Sequence, residues 1–398
     1  MIALINTVCL GSTGKIITGL QDYLLDREDD AVVCYGRGPK PQRGKGYKFC
    51  TSLDVYVHYL IEWLTGQMNS GSKIATRRLI RFLKKNDVNE IFIENLHGHY
   101  LNDKLLFNYL IDNNIKVVYI MADELAFLGN CTYRNECQLN DITECKGCKR
   151  LKWWQRLFFG EASHRHFLMK KKAYEKLNAI YVAPEYVVKQ AEKSPLLKGK
   201  RLFVVDEAIN VNTYHPRNTS ELRNKLGIGS NKVVIVCVAP LSDPRKGVKY
   251  FIETAKSLKD NDQYVFVHVG YNSDDKANLP NNYIPIGYVT NQEELSYYYS
   301  LGDLFVFPSQ ADTMPNACLE ALACGTPLLC FDVSGMPFIG DQTVMTLVPL
   351  NDVASMSRVI ENTKSKNQEQ IDTCRDYALK RYDNRKYFEK LTEIMENL

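Results

Sequence analysis

Short runs of β-branched and aromatic residues alternate with helix-length segments along this chain, and the alternation starts twice. Strands joined by helical crossovers lie parallel in one sheet with helices on its faces. In the first half, Ile2–Asn6, Ala31–Tyr35 and Glu90–Ile93 read as strands, as does 116–121, with helical spacing at 55–64 and 74–83. After a strand at 200–205 the series restarts, at 232–238, Tyr264–Val269, Tyr283–Ile286, Leu304–Phe307, 327–331 and Met345–Val348, with helices at 247–258 and 293–300. Cores rarely grow beyond roughly 250–300 residues, so 398 residues in two such series predict two α/β domains.

Composition excludes several function classes. A net charge of +4 is too small to imply a nucleic-acid partner. No apolar run reaches the roughly 18 residues of a membrane-spanning helix, and Met1-Ile-Ala-Leu-Ile-Asn6 lacks the basic flank of a secretion signal. A cytoplasmic protein is expected. In that setting, twelve Cys argue for reduced thiols, metal ligation or core packing rather than a disulfide framework. Cys131, Cys137, Cys145 and Cys148 fall in the pattern C-x5-C-x7-C-x2-C. That suits a structural zinc stapling the polar insertion 131–148, and a disulfide or free thiols are the other readings. Four Cys ligands leave no open position, so catalytic zinc is not expected.

Residues 307–328 read as a strand, a tight loop and a helix start. Asp312 lies in the loop and Glu320 on the helix, with seven residues between them. A helix N-terminus presents unpaired N–H groups and a partial positive charge, so it is an anion site. With a carboxylate on either side it suits a ligand bearing hydroxyls and phosphates. Arg245 and Lys246 open the helix that follows another strand. Cations are mildly disfavoured at such a position, which favours a binding role for the pair over a solvated helix start.

Residues 307–328 resemble the donor site of retaining GT-B glycosyltransferases of the glycogen-synthase-like family (family 4, glycosyl transferases group 1). That signature is an acidic residue, seven residues, then Glu-Ala-(Met/Leu)-Ala-Cys-Gly-x-Pro; here Glu320-Ala-Leu-Ala-Cys-Gly-Thr-Pro327 follows Asp312. Asp at the first position, Pro315-Asn316, Gly11-Ser-Thr-Gly-Lys15 and Asn95-Leu-His-Gly-His-Tyr-Leu-Asn102 are similar to the capsule and exopolysaccharide branch. The implied fold is α/β, GT-B: two Rossmann-like domains facing a central cleft. Residues 1–206 would bind acceptor, 207–381 donor, and a helix at 382–398 would cross back to the first domain.

The resemblance implies residue roles as well. Lys246, with Arg245, would stabilise the leaving diphosphate, Glu320 would hold the ribose and Asp312 the donor sugar. Backbone at Tyr288 and Val289 would face the base; Thr313, Met314, Pro315 and Asn316 would meet sugar and phosphate. Gly11, Gly14, Lys15 and Asp123 would line the acceptor side, with His97 at the acceptor. Two positions depart from the family pattern. Pro240 stands where a phosphate-binding Arg is usual, and Ala122 where an acceptor-site His is usual.

The implied reaction moves a hexose from a UDP- or GDP-linked donor to a saccharide acceptor, lipid-linked in this branch, with retention and without a catalytic cofactor. A non-catalytic partner subunit, or a sugar-nucleotide epimerase on the same fold, are the alternatives; an epimerase would isomerise donor with no acceptor present. Lys149-Arg-Leu-Lys-Trp-Trp-Gln-Arg-Leu-Phe-Phe159 interleaves basic and aromatic residues, and Arg77, Arg78, Arg81, Lys84 and Lys85 cluster nearby in sequence. These are the makings of a peripheral anchor on the inner face of a membrane; an amphipathic helix with its aromatics in the core is the other reading.

Overall fold

The computed structural model describes residues 1–133, 144–272 and 278–398. The chain forms two compact units, one of Met1–Val205 with Arg385–Leu398 and one of Asp206–Asn384. Each is built on a parallel sheet flanked by helices.

The first sheet has seven strands: β1 (Ile2–Asn6), β2 (Ala31–Tyr35), β3 (Lys45–Lys48), β4 (Glu90–Ile93), β5 (Lys116–Ile120), β6 (Ala179–Ala183) and β7 (Leu202–Val204), in the order β3-β2-β1-β4-β5-β6-β7. The second has six: β8 (Val233–Val238), β9 (Tyr264–Val269), β10 (Tyr283–Ile286), β11 (Leu304–Phe307), β12 (Leu328–Phe331) and β13 (Met345–Val348), in the order β10-β9-β8-β11-β12-β13. Central strands are buried on both faces, which is why they read as continuous apolar runs: Ala3, Leu4 and Ile5 have no exposed surface, nor do Val234, Ile235, Val236 and Cys237. Edge strand β3 is different. Lys45, Gly46 and Lys48 are exposed, and hydrophobic pattern does not announce it.

Both orders reverse direction beside their first strand, between β1 and β4 and between β8 and β11. Connections leave such a pair toward opposite sides, opening a crevice at the carboxyl ends where ligands of α/β sheets bind. The loops that matter are therefore those after β1 and β4 in one unit and after β8 and β11 in the other.

The division falls at Val205/Asp206 and at Asn384/Arg385, a few residues from the expected 206/207 and 381/382. Asp206 belongs to the second unit because Arg381 pairs with it at 2.6 Å. The last helix, Asn384–Glu396, buries Tyr387, Phe388, Leu391, Ile394 and Met395. Phe388 fills the space above Gly19, where a Cβ would lie 2.7 Å from its ring. Arg27 reaches Glu396 at 2.9 Å and Lys390 donates to the Val204 carbonyl at 2.8 Å. The C-terminus thus packs on the first unit.

Candidate functional site

In the second unit the loops after β8 and β11 are locked together. Residues Pro244–Lys246 form a 3-10 turn capped by Asp243, whose Oδ1 accepts from Arg245 N–H. The turn closes at Gly247 with φ +66, and a Cβ there would sit 1.8 Å from the Pro308 carbonyl oxygen. Gln310 N–H donates to the Arg245 carbonyl at 2.8 Å. This brings Lys246 Nζ to 2.6 Å and Arg245 Nη1 to 3.1 Å from Oδ2 of Asp312. Ser309 Oγ lies 3.4 Å from the same oxygen. The expected helix start at 247 is the helix Val248–Ser257, so both cations precede it.

Asp312, Thr313, Met314 and Pro315 are buried, and the helix Asn316–Ala323 follows with no side chain capping it. Its first N–H groups keep the anion-binding capacity of a helix N-terminus. Oδ1 of Asn316 is buried with no hydrogen-bond partner among the described residues. Glu320, one turn along, is buried and accepts from the Tyr299 hydroxyl at 2.7 Å. Burial pushes the Tyr299 phenol far up, and the Glu320 charge adds to it, so Tyr299 is a fixed donor. Tyr288 is exposed and Val289 half-buried, after β10.

In the first unit, His97 follows β4 and Asp123 follows β5. Nε2 of His97 lies 3.1 Å from Oδ2 of Asp123. Thr7, after β1, donates to the His97 carbonyl at 2.6 Å, and Asn95 Oδ1 accepts from His97 N–H at 2.9 Å. Gly11 (φ +82), Gly14 and Lys15 begin the helix Gly11–Asp26. Gly14 is packed against Cys9, whose carbonyl carbon a Cβ would meet at 2.5 Å. Asp123 adjoins Ala122 in sequence, so the His97 ring contacts the residue next to that position.

Cys137 lies outside the described residues. Gly129 N–H donates to Cys145 Sγ at 3.2 Å, an interaction that also suits a metal-bound thiolate. Among the described residues, the group whose three ligand atoms lie within 4.8 Å of one another is instead His58, Glu62 and His99.

The helix Trp153–Phe159 does not bury its aromatics. Trp153, Leu157 and Phe158 are 76%, 68% and 72% exposed. It packs beside the helix Ser52–Thr65, with Trp154 and Trp63 rings 5.4 Å apart and Gln155 donating to the Trp63 carbonyl at 2.8 Å. That second helix also exposes Leu53, Tyr56, Tyr59, Leu60 and Trp63. No helix among the described residues is long and apolar enough to cross a membrane.

Sequence reasoning did not single out Tyr299, Ser309 or Gly335. Gly335 N–H donates to the Asp312 carbonyl at 2.9 Å, and a Cβ there would lie 1.6 Å from the Thr313 carbonyl oxygen. Only a partner distant in sequence defines such a position. Tyr299 carried a readable signal, a Tyr-Tyr-Tyr run whose third ring faces the core.

Comparison with known proteins converges on one group. The family model described as Glycosyl transferases group 1 matches residues 232–364, the span that holds Lys246, Asp312 and Glu320. The chain is 27% identical over 186 residues to the UDP-Gal:alpha-D-GlcNAc-diphosphoundecaprenol alpha-1,3-galactosyltransferase of Escherichia coli, covering 43% of this chain and 46% of that one. It is 28% identical over 149 residues to the alpha-galactosylglucosyldiacylglycerol synthase of Streptococcus pneumoniae, covering 34% and 38%. The matches thus span less than half the length of these curated relatives. The crystal structure of Anabaena Alr3699/HepE in complex with UDP and glucose superposes with a TM-score of 0.66 over 100% of this chain and 99% of that one, at 14% identity. Residues 232–364 thus match the glycosyl transferases group 1 family, and the two parallel α/β sheets are those of the GT-B fold.

Proposed function

We propose that this protein is a retaining hexosyltransferase that uses a nucleoside diphosphate sugar and a lipid-linked saccharide acceptor in polysaccharide or glycolipid assembly. One observation carries the reading. Two cations, a carboxylate and an uncapped helix N-terminus converge where β8 and β11 end, with a buried Glu320 one turn behind.

In this reading the diphosphate meets Lys246, Arg245 and the N–H groups ahead of Asn316. Glu320, its carboxylate oriented by Tyr299, accepts from the ribose hydroxyls. Asp312 and Asn316 Oδ1 accept from the sugar. The bond from the anomeric carbon to the phosphate oxygen breaks while the acceptor oxygen bonds to that carbon on the same face, and the acceptor proton passes to the leaving diphosphate. Fixed cations stabilise the charge that develops there. His97, held by Asp123, orients the acceptor. The relatives named for diphosphoundecaprenol and diacylglycerol substrates support a lipid-linked acceptor. Docking on an anionic membrane surface would use the exposed aromatics of Trp153–Phe159 with the neighbouring Lys149, Arg150, Lys152 and Arg156. A zinc held by Cys131, Cys137, Cys145 and Cys148 would brace the segment ahead of that helix and take no part in transfer.

A non-catalytic subunit is the second reading, favoured by Pro240 and Ala122. Thermal stabilisation by UDP, GDP, ADP and their sugars separates the two. One nucleotide should stabilise the wild type, and Glu320→Ala should abolish the effect. Absence of stabilisation by every nucleotide in a folded sample would sink the transferase reading.

A further inference from the structure

A second constellation lies in the first unit, apart from the residues assigned to transfer above. His58 lies within the helix Ser52–Thr65 with no exposed surface, and Glu62 is one turn further along. His99 stands in the loop after β4 with φ +60, a strained conformation for a residue with a side chain. His58 Nε2 is 3.0 Å from Glu62 Oε1, and His99 Nδ1 is 2.8 Å from Glu62 Oε2. Asn69 N–H donates to Glu62 Oε1 at 2.6 Å, which holds the carboxylate in place.

The hydrogen bonds around this group leave a gap in their logic. Ser72 Oγ is 3.4 Å from the His99 carbonyl oxygen, which can only accept, so the hydroxyl proton points there. Ser72 Oγ must then accept from Nδ1–H of His58, 2.8 Å away. A neutral His58 so oriented turns the bare lone pair of Nε2 toward an ionised carboxylate. His99 Nδ1 is buried 2.8 Å from the other carboxylate oxygen. Two imidazole nitrogens facing one carboxylate at these distances need positive charge among them, supplied by protons on the rings or by a metal ion.

We propose that His58, Glu62 and His99 together bind one divalent transition cation of the zinc class. Bond lengths of about 2.0–2.2 Å separate neighbouring tetrahedral ligands by roughly 3.3 Å. The three ligand atoms lie within 4.8 Å of one another, so drawing the widest pair together to that spacing seats the ion. Two imidazoles and a carboxylate suit Zn²⁺, Co²⁺ or Ni²⁺ over Mg²⁺ or Ca²⁺. Ser72, accepting from His58 Nδ1–H, orients the ring as partners of metal-bound histidines do. The fourth position is left to water on the partly exposed side of His99. The ion would fasten the helix Ser52–Thr65 to the loop that presents His97, two residues before His99.

The test uses the full chain, stripped with chelator, dialysed and titrated with Co²⁺ alone. The expected result is one equivalent bound with visible ligand-field bands free of thiolate charge transfer, beside any separate charge-transfer band from cobalt taken up by the cysteine segment. His99→Ala and Glu62→Gln should each abolish those bands, with circular dichroism showing both variants folded. Ser72→Ala should weaken binding about 10–100-fold. The double variant Cys145→Ser, Cys148→Ser should keep the bands, which separates this site from the cysteine segment. A wild type without thiolate-free bands, or bands that survive either His99→Ala or Glu62→Gln, overturns the proposal.

Discussion

Lys246 Nζ and Asp312 Oδ2 stand 2.6 Å apart across 66 residues of chain. The cation proposed to meet a diphosphate is therefore already paired, and a ligand must share it with the loop carboxylate. Lys246→Met should lower kcat about 10²–10³-fold, as loss of one transition-state donor does. Asp312→Asn should act in opposite directions on two measurements. UDP should bind roughly threefold to tenfold tighter, because two cations lose their internal partner, while turnover of the sugar nucleotide falls. Calorimetry with UDP alongside steady-state rates checks both; weaker UDP binding by Asp312→Asn would contradict the pairing argument.

Gly335 should be as critical as any residue that touches ligand. A methyl group there would overlap the Thr313 carbonyl oxygen at 1.6 Å, so Gly335→Ala must displace the loop that carries Asp312. Overpacking of this kind costs about 1–3 kcal/mol. The expected outcome is a folded protein of lower melting temperature that UDP no longer stabilises. Retention of full nucleotide response would show that the loop has slack.

His268 makes the second unit sensitive to acid. Its Nε2–H donates to the Ala239 carbonyl at 2.8 Å, and the rings of Phe251, Tyr271 and Tyr283 pack about it. Burial pushes its pKa down to about 4, against a smaller opposing effect of that hydrogen bond. The unfolded chain, titrating near 6.5, then binds more protons than the folded one between about pH 6.5 and 4. Stability should fall as pH drops through that window, by up to roughly 3 kcal/mol, and be unaffected by this group above it. His268→Gln keeps a donor for Ala239 without the titration. Urea unfolding at pH 7 and pH 4.5 should show a smaller loss for His268→Gln than for the wild type; equal losses would assign the acid sensitivity elsewhere.

Membrane docking has a direct readout. Trp153→Ala with Phe158→Ala should lower binding to vesicles containing anionic phospholipid about tenfold or more, from the apolar surface that no longer inserts. Raising ionic strength should weaken wild-type binding too, because the basic neighbours act through a screened field. Cosedimentation that neither change affects would exclude this face as the anchor.

What the amino-acid sequence determined by itself was local. Eleven strands were readable, most of them because parallel strands buried on both faces must be continuous apolar runs, although the buried run of β6 was passed over, and Lys246, Asp312 and Glu320 were readable from motif spacing. Strand β3 was not, since an exposed edge needs no apolar pattern. Tertiary structure alone decided which of these residues meet. Lys246 reaches Asp312 because β8 and β11 are neighbours in the sheet, and Gly335 matters only because the Thr313 carbonyl lies over it. Glu62 likewise finds His99 across two elements with no shared pattern. Side-chain period and turn chemistry are written within a few residues of one another. Contacts between crossover loops depend on strand order, which the whole core settles at once.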